Sequence, residues 1–181
     1  QLLQARGMKT ANESHRRAKP YCMGTLYWQF NDCWPVTSWS SLDYYGNWKA
    51  FHYQAKRSFE NLLFSIEEGN DSYRICIVND DLKQYSGELV IDLIDFNGTK
   101  LWNKKIIFIA SENSSKIHFE IPKKDFLAFN LKQAVLSVSF PPLEQIYTRH
   151  YFFKPKDLQI TKPNIQIKII DEVTIEISSD V

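Results

Sequence analysis

The spacing of apolar residues predicts two helices and one strand in the first third of the chain. Small or apolar residues recur at helical intervals over residues 2–19, and Pro20 ends this run. A second helix is predicted from the apolar positions of residues 48–62, with Asn47 as its N-terminal cap. Between the helices, residues 25–30 are mostly apolar, which is typical of a strand covered on both faces. A long polar and aromatic loop follows this strand, so the region has the order of one α/β unit.

Beyond residue 60 the apolar residues alternate with polar ones, and this period of two predicts strands. Clusters of Asn, Asp, Gly and Pro separate the alternating segments, and Asn97-Gly98 predicts a hairpin with a type I′ turn. Seven short strands in about 90 residues are the pattern of an immunoglobulin-like β-sandwich. The predicted strands are residues 62–67, 73–78, 87–96, 100–109, 116–121, 134–140 and 147–153.

A third region begins near Pro155, where the alternation stops and later returns. Isoleucine and valine occupy every second position of residues 165–169 and 173–177, on either side of a turn. A single hairpin is too small to form a domain, so we expect it to be the first two strands of a further module. The start at Gln1, without an initiator methionine, agrees with a piece of a longer protein.

Composition excludes several classes of function. The chain has 181 residues, with 22 Lys and Arg against 21 Asp and Glu scattered along it, so we expect neither a nucleic-acid nor an anionic-membrane partner. The apolar runs are far shorter than the roughly 20 residues of a membrane span. Cys22, Cys33 and Cys76 lack the spacing of metal ligands and are expected to act as small buried apolar residues. We therefore predict no metal site and no cofactor.

The tryptophans are concentrated in one place. Four of the five lie within 21 residues, at positions 28, 34, 39 and 48. In a parallel barrel, functional side chains stand where strands end, and Trp28, Asn31 and Asp32 would occupy such positions. An indole beside amide and carboxylate groups is the chemistry that binds sugars, because the ring stacks on the apolar sugar face while polar groups pair with hydroxyls. Two structural alternatives stay open: the tryptophans fill a core, and Asp32 braces its own loop.

The aromatic segment carries a resemblance to a known family. Residues 24–32, continued by Trp34, residues 39–44, Gly46, residues 48–49 and residues 52–53, resemble the last strand, loop and helix of the catalytic barrel in β-mannosidases of glycoside hydrolase family 2. The strands that include residues 78–80 and 87–89 resemble the immunoglobulin-like module that follows this barrel, and residues 151–158 resemble the junction into a final β domain.

The resemblance implies a mainly β fold, in which an immunoglobulin-like β-sandwich is preceded by the last α/β segment of a TIM barrel. The implied domains are residues 1–60 for the end of the (β/α)8 barrel, 61–154 for the sandwich and 155–181 for the start of a further β-sandwich. If the barrel partners of residues 25–30 are missing, we expect an exposed strand edge through which the chain self-associates.

The resemblance also implies hydrolysis of terminal non-reducing β-mannosides with retention of configuration. The two catalytic glutamates of the family lie on earlier barrel strands, so no catalytic residue is expected here and the isolated chain should be inactive. Trp28 matches the tryptophan that forms the platform under the sugar, and Trp34, Asn31 and Asp32 fit the rim of that site. His52 is expected to be packed and hydrogen-bonded rather than catalytic. The expected partner is a β-mannoside, bound by the full-length parent.

Two other functions stay open at the level of sequence. One is a different family 2 enzyme, a β-galactosidase or a β-glucuronidase, whose barrel ends in a related strand. The other is a non-catalytic carbohydrate-binding or structural sandwich, which should carry exposed aromatic residues, although the sandwich strands contain only Trp102. The compartment is also open: we expect periplasmic or secreted if bacterial, and lysosomal if eukaryotic.

Overall fold

The computed structural model describes residues 1–179. In this part of the chain two helices, α1 (Leu2–Arg17) and α2 (Ala50–Ser58), precede nine strands. Both predicted helices are therefore present. The strands are β1 (Leu62–Glu68), β2 (Ser72–Asn79), β3 (Tyr85–Asp95), β4 (Lys100–Ala110), β5 (Ser114–Pro122), β6 (Ala134–Ser139), β7 (Tyr147–His150), β8 (Ile165–Ile169) and β9 (Ile175–Ser179).

Strands β1 to β7 form the predicted sandwich. One sheet has the order β1-β2-β5 and the other β4-β3-β6-β7, with antiparallel pairing throughout. The alternation along the strands places their apolar side chains between the sheets, as Leu136 and Val138 of β6 show by their complete burial. The main core lies entirely between Leu62 and Phe140. The seven predicted strands and the mainly β fold are confirmed.

The turn between β3 and β4 differs from the predicted type. A type I′ turn needs positive φ at both central residues, but here Gly98 has a φ of 88° and Asn97 is not in that region. Instead, the Asp95 carbonyl accepts the N–H of Gly98, and the Asp95 carboxylate accepts the N–H groups of Asn97 and Thr99. The hairpin is confirmed, and the two-residue type I′ turn is wrong because Asp95 stabilises a longer turn.

Helix α1 covers the outer face of β1. The first five residues of β1 are buried in succession, although a strand with one solvated face should alternate. Ser65, on the outer face, donates to the Glu13 carboxylate at 2.7 Å and accepts from Arg17 at 2.5 Å. Hydrogen bonds and charges thus join α1 to the sandwich.

Residues 25–30 do not form the predicted strand. They make no ladder with another strand among residues 1–179. The pairing that follows them is a parallel bridge between Asn31 and Leu42, and Leu42 also forms an antiparallel bridge with Trp48. A buried parallel strand needs hydrogen-bonded neighbours on both sides, and the described residues supply none. The carbonyls of Gln29 and Phe30 instead accept from Ser41 and Leu42 at 3.0 and 2.8 Å.

The predicted start of the second helix is also wrong. Helix α2 begins at Ala50, and the N–H of Ala50 donates to the side-chain oxygen of Gln1 at 3.1 Å. Asn47 does not cap it, because its side chain donates to the Asp43 carboxylate in the preceding turn. A residue 49 positions away in sequence therefore caps α2, which a local pattern could not indicate.

The last hairpin, β8–β9, agrees with the predicted alternation. Its register pairs Ile167 with Ile177 and Ile169 with Ile175, so the isoleucines share one face, and all of them are exposed. The polar side chains of Lys168 and Glu176 pair on the other face.

All three cysteines are free thiols; Cys76 is buried, Cys22 is half-buried and Cys33 is exposed. The expectation of buried cysteines is therefore wrong for Cys33, which lies on the exposed aromatic loop.

Among residues 1–179, no helix is long and apolar enough to cross a bilayer.

A buried histidine gives the fold a predicted pH dependence. His150 packs against Tyr73 and Phe152, and burial is the main reason why its pKa is lowered to about 4. Glu68 opposes this shift, and the charges of Lys9, Arg6 and Lys123 add to it. The unfolded chain therefore binds this proton first, and stability that is present above pH 6.5 falls as the pH approaches 4. We expect a loss of about 2 kcal/mol in the free energy of unfolding between pH 7 and pH 5.

Urea unfolding of the wild type and the His150→Leu variant at both pH values measures this effect. The difference between the two pH values should shrink by about 2 kcal/mol in the variant, because leucine takes up no proton. An equal difference in both proteins would show that His150 is not its source.

Candidate functional site

Residues 25–30 present one covered face and one open face. Thr25, Tyr27 and Gln29 point inward, and the Tyr27 ring meets the Phe51 ring of α2 edge-on, at 4.6 Å between centroids. The alternate side chains are exposed: Leu26 is 99% exposed, Trp28 77% and Phe30 56%, although the Phe30 ring also meets His52 of α2 at 5.5 Å. The segment thus keeps the period of an extended strand, with the covered face on the helices.

Trp28 stands at the centre of the open face. The peptide bond that joins Trp28 to Gln29 is cis. The Gln29 side chain donates to the carbonyl of Asn31 at 2.9 Å, which ties the end of the segment to the loop that follows. An indole that is 77% exposed is suited to stack on the apolar face of a sugar.

Asp32, which follows the open face, lies inside its own loop. Its side chain is 2% exposed, and its two oxygens accept from the Ser38 and Ser40 hydroxyls, each at 2.6 Å. Lys49, just before α2, lies 3.2 Å from the same carboxylate and donates to Ser40 at 2.7 Å. The hydrogen bonds from the two serines, followed by that of Lys49, hold the pKa of Asp32 below its ordinary value. Asp32 is therefore an ionised brace that connects both ends of the loop.

The brace leaves the other predicted site residues at the surface. Trp34 is 64% exposed and lies within the segment that Asp32 closes through Ser38 and Ser40. Asn31 is exposed, and its amide donates to the Asp32 carbonyl at 3.3 Å. Trp28, Asn31 and Trp34 are thus exposed side chains of one continuous segment, and Asp32 is the buried member of the set.

Trp48, His52 and Tyr53, at the start of α2, pack against each other. Trp48 meets the ring of His52 at 4.3 Å and that of Tyr53 at 5.0 Å. His52 also lies 3.0 Å from the Ser41 hydroxyl through Nδ1, and its ring meets Phe30. These contacts give His52 the packed, hydrogen-bonded role that the sequence predicts.

Three of the four acidic residues in residues 1–60 make structural contacts, and the fourth is exposed. Of the four acids in residues 1–60, Glu13 pairs with Lys9 and accepts from Ser65, and Asp32 braces its loop. Asp43 accepts from the backbone of Tyr45 and from Asn47, and these hydrogen bonds lower its pKa. Glu60 is exposed beyond the end of α2. Across residues 1–179, no group of three His, Cys, Asp or Glu side chains is arranged to hold a metal ion.

The network around Asp32 contains residues that sequence reasoning missed. The bracing alternative named Asp32 alone, whereas the structure adds Ser38, Ser40 and Lys49. The two serines are close in sequence and could have been proposed as partners, because hydroxyls often pair with a nearby carboxylate in loops. Lys49 had no such local signal, since 17 residues separate it from Asp32.

Comparison with known proteins gives consistent matches. Residues 71–157 match the model of the Mannosidase Ig/CBM-like domain. A β-mannosidase from Mus musculus is 30% identical over 93% of this chain and 21% of its own length. A β-mannosidase from Capra hircus is 49% identical over 70% of this chain and 16% of its own length. The chain therefore spans about a fifth of the length of the curated relatives that it matches.

A solved structure extends the match to nearly the whole fold. The crystal structure of a β-D-mannosidase from Dictyoglomus thermophilum superposes with a TM-score of 0.81 and 28% identity, over 99% of this chain and 23% of that one. The match includes the helices and the aromatic loop as well as the sandwich. Together these similarities show that the chain corresponds to the C-terminal part of the β-mannosidases of glycoside hydrolase family 2.

Proposed function

We propose that the full-length protein containing this chain hydrolyses terminal non-reducing β-mannosides with retention of configuration. The observation that carries the proposal is the open face of residues 25–30, where Trp28 is 77% exposed beside a braced loop. Relatives that carry the name β-mannosidase and cover most of the chain support the same substrate class.

In this proposal the chain supplies one wall of the sugar site. The Trp28 indole stacks on the apolar face of the terminal mannose, and the amide of Asn31 pairs with a hydroxyl. Trp34 lines the rim. Asp32, predicted from sequence as a sugar contact, is instead assigned to hold the loop, because Ser38, Ser40 and Lys49 already occupy its oxygens.

The catalytic carboxylates are proposed to come from other parts of the full-length protein. A retaining glycosidase needs an acid and a nucleophile about 5–5.5 Å apart. Three of the four acids in residues 1–60 hold structural contacts, and Glu60 follows α2, beyond the aromatic loop. The isolated chain should therefore be inactive. Its open face of Leu26, Trp28 and Phe30 gives it a surface for self-association.

The alternative of a non-catalytic sugar-binding sandwich has less support. The one tryptophan of the sandwich strands, Trp102, does not form a sugar platform, because it is partly buried against the core and meets Phe126 edge-on at 5.5 Å. We also propose the division into residues 1–60, 61–154 and 155–181, which remains a prediction from sequence.

Activity assays on the purified full-length protein test this function. It should release the phenol from an aryl β-mannoside far faster than from the matching β-galactoside or β-glucuronide, and proton NMR should show β-mannose as the first product. The 181-residue chain, assayed beside it, should give no turnover. Preference for a galactoside or glucuronide, an inverted product, or turnover by the isolated chain would contradict the proposal.

A further inference from the structure

An acidic residue of the sandwich lies where it can control the sugar-binding wall. Asp80 follows β2, and its carboxylate pairs with two cations at the C-terminal end of α1. The Arg16 guanidinium lies 2.9 Å from one oxygen, and the Lys19 ammonium contacts the other. Both cationic side chains are largely buried, with 9% and 11% exposure, so Asp80 is the anion that balances them.

The same two cations connect four segments. Arg16 donates to the carbonyl of Ser58, at the end of α2, at 2.5 Å and to that of Asn61 at 3.3 Å. Lys19 donates to the side-chain oxygen of Asn113, between β4 and β5, at 2.7 Å. Asp80 therefore orients side chains that fix α1 and the end of α2 against the sandwich.

The connection continues from α1 to the segment that carries Trp28. His15, the neighbour of Arg16, lies 3.0 Å from the Thr25 hydroxyl through Nδ1, on the covered face of residues 25–30. A cleft of about 120 Å³ is lined both by His15 and Thr25 and by Arg16, Lys19 and Asp80. The ion pairs and the base of the sugar-binding segment thus border one cleft.

We propose that Asp80 is a positioning residue for the sugar platform: through Arg16 and Lys19 it fixes α1, and α1 fixes Trp28 through the contact between His15 and Thr25. This proposal rests on the proposed function, because it assigns the sandwich a part in binding the mannoside. Without the Asp80 charge, Arg16 and Lys19 stay close together with no anion between them, and α1 loses its register on the sandwich. Asp80 does not contact the sugar.

Hydrogen exchange on the 181-residue chain tests whether Asp80 fixes the Trp28 segment, and it requires no enzymatic activity. The amides of Ser41 and Leu42 donate to the carbonyls of Gln29 and Phe30, so their exchange reports the position of the Trp28 segment. In Asp80→Asn these two amides should exchange about fivefold faster, while the core amides of β3 stay unchanged. Thr25→Val should have the same effect on Ser41 and Leu42 but leave α1 protected, since it removes only the last contact.

Kinetics of the full-length protein test whether Asp80 contributes to binding of the mannoside. Asp80→Asn should raise KM for an aryl β-mannoside about fivefold with a smaller change in kcat, because a misplaced platform weakens sugar binding. Asp80→Glu, which restores the charge, should recover most of this loss. Glu88→Gln is the matched control, since Glu88 forms an exposed ion pair with Lys105 on the sandwich, 2.8 Å apart.

The outcomes separate this proposal from the proposed function. If the wild type does not hydrolyse β-mannosides, the function is wrong, and the exchange experiment still decides the Asp80 linkage. If Asp80→Asn leaves the exchange of Ser41 and Leu42 unchanged, or if Glu88→Gln alters KM to the same extent, Asp80 is not a positioning residue.

Discussion

Replacing Trp28 by alanine in the full-length protein should lower kcat/KM for an aryl β-mannoside by about 10- to 150-fold. The range follows from the free energy gained when the sugar covers the Trp28 indole. Covering a large apolar side chain stabilises the complex by about 1.5–3 kcal/mol, and each 1.36 kcal/mol changes the rate tenfold. Because the indole is 77% exposed in this chain, its removal leaves no cavity among the described residues. Steady-state kinetics on the purified variant measure the loss.

A conservative variant and a distant control make this result specific. Trp28→Phe should retain part of the activity, because a smaller ring still stacks on the sugar. Leu127→Ala, which removes another exposed apolar side chain, should have no effect, since Leu127 is 83% exposed on the sandwich. Unchanged kinetics in Trp28→Ala would show that the platform lies elsewhere.

The second large effect concerns stability. Phe126→Ala should lower the free energy of unfolding of the sandwich by about 3–5 kcal/mol, the usual result of removing a buried phenylalanine. Phe126 is 1% exposed and lies at the centre of an aromatic cluster: its ring stacks on Tyr73 at 5.8 Å and meets Trp102 and Phe152 edge-on. Truncation therefore opens a cavity bordered by rings that cannot easily close it.

The neighbouring residue supplies the control for this measurement. Leu127 follows Phe126 directly but is exposed, so Leu127→Ala should change the free energy of unfolding by less than about 0.5 kcal/mol. Urea unfolding of the 181-residue chain, followed by far-UV circular dichroism, gives both values. Equal effects of the two substitutions would mean that Phe126 is not part of the core.

The sandwich could be predicted from sequence because its signals are local. Alternation of apolar residues identifies a strand, and short clusters of Asn, Asp, Gly and Pro mark the turns. Alternation along β6 puts Leu136 and Val138 on one face of the strand, and both are completely buried. The failure at Asn97-Gly98 is also local, since the side chain of Asp95 selected another turn.

The first 60 residues were harder to predict because their structure depends on distant partners. Residues 25–30 have the composition of a strand, but pairing needs neighbours that the described chain does not supply. The cap of α2 by Gln1 and the burial of Ser65 by α1 likewise arise from contacts between residues far apart in sequence. For the candidate site, the sequence located the aromatic segment, whereas the brace through Lys49 required the folded loop.

A crystal structure of the full-length protein with a mannose-configured inhibitor tests the central claim most directly. It should show the Trp28 indole parallel to the apolar face of the sugar, at about 4 Å, with Asp32 still bound to Ser38 and Ser40. Two glutamates from outside residues 1–181 should flank the anomeric carbon. A sugar bound away from Trp28, or held by a catalytic carboxylate from within this chain, would contradict the account.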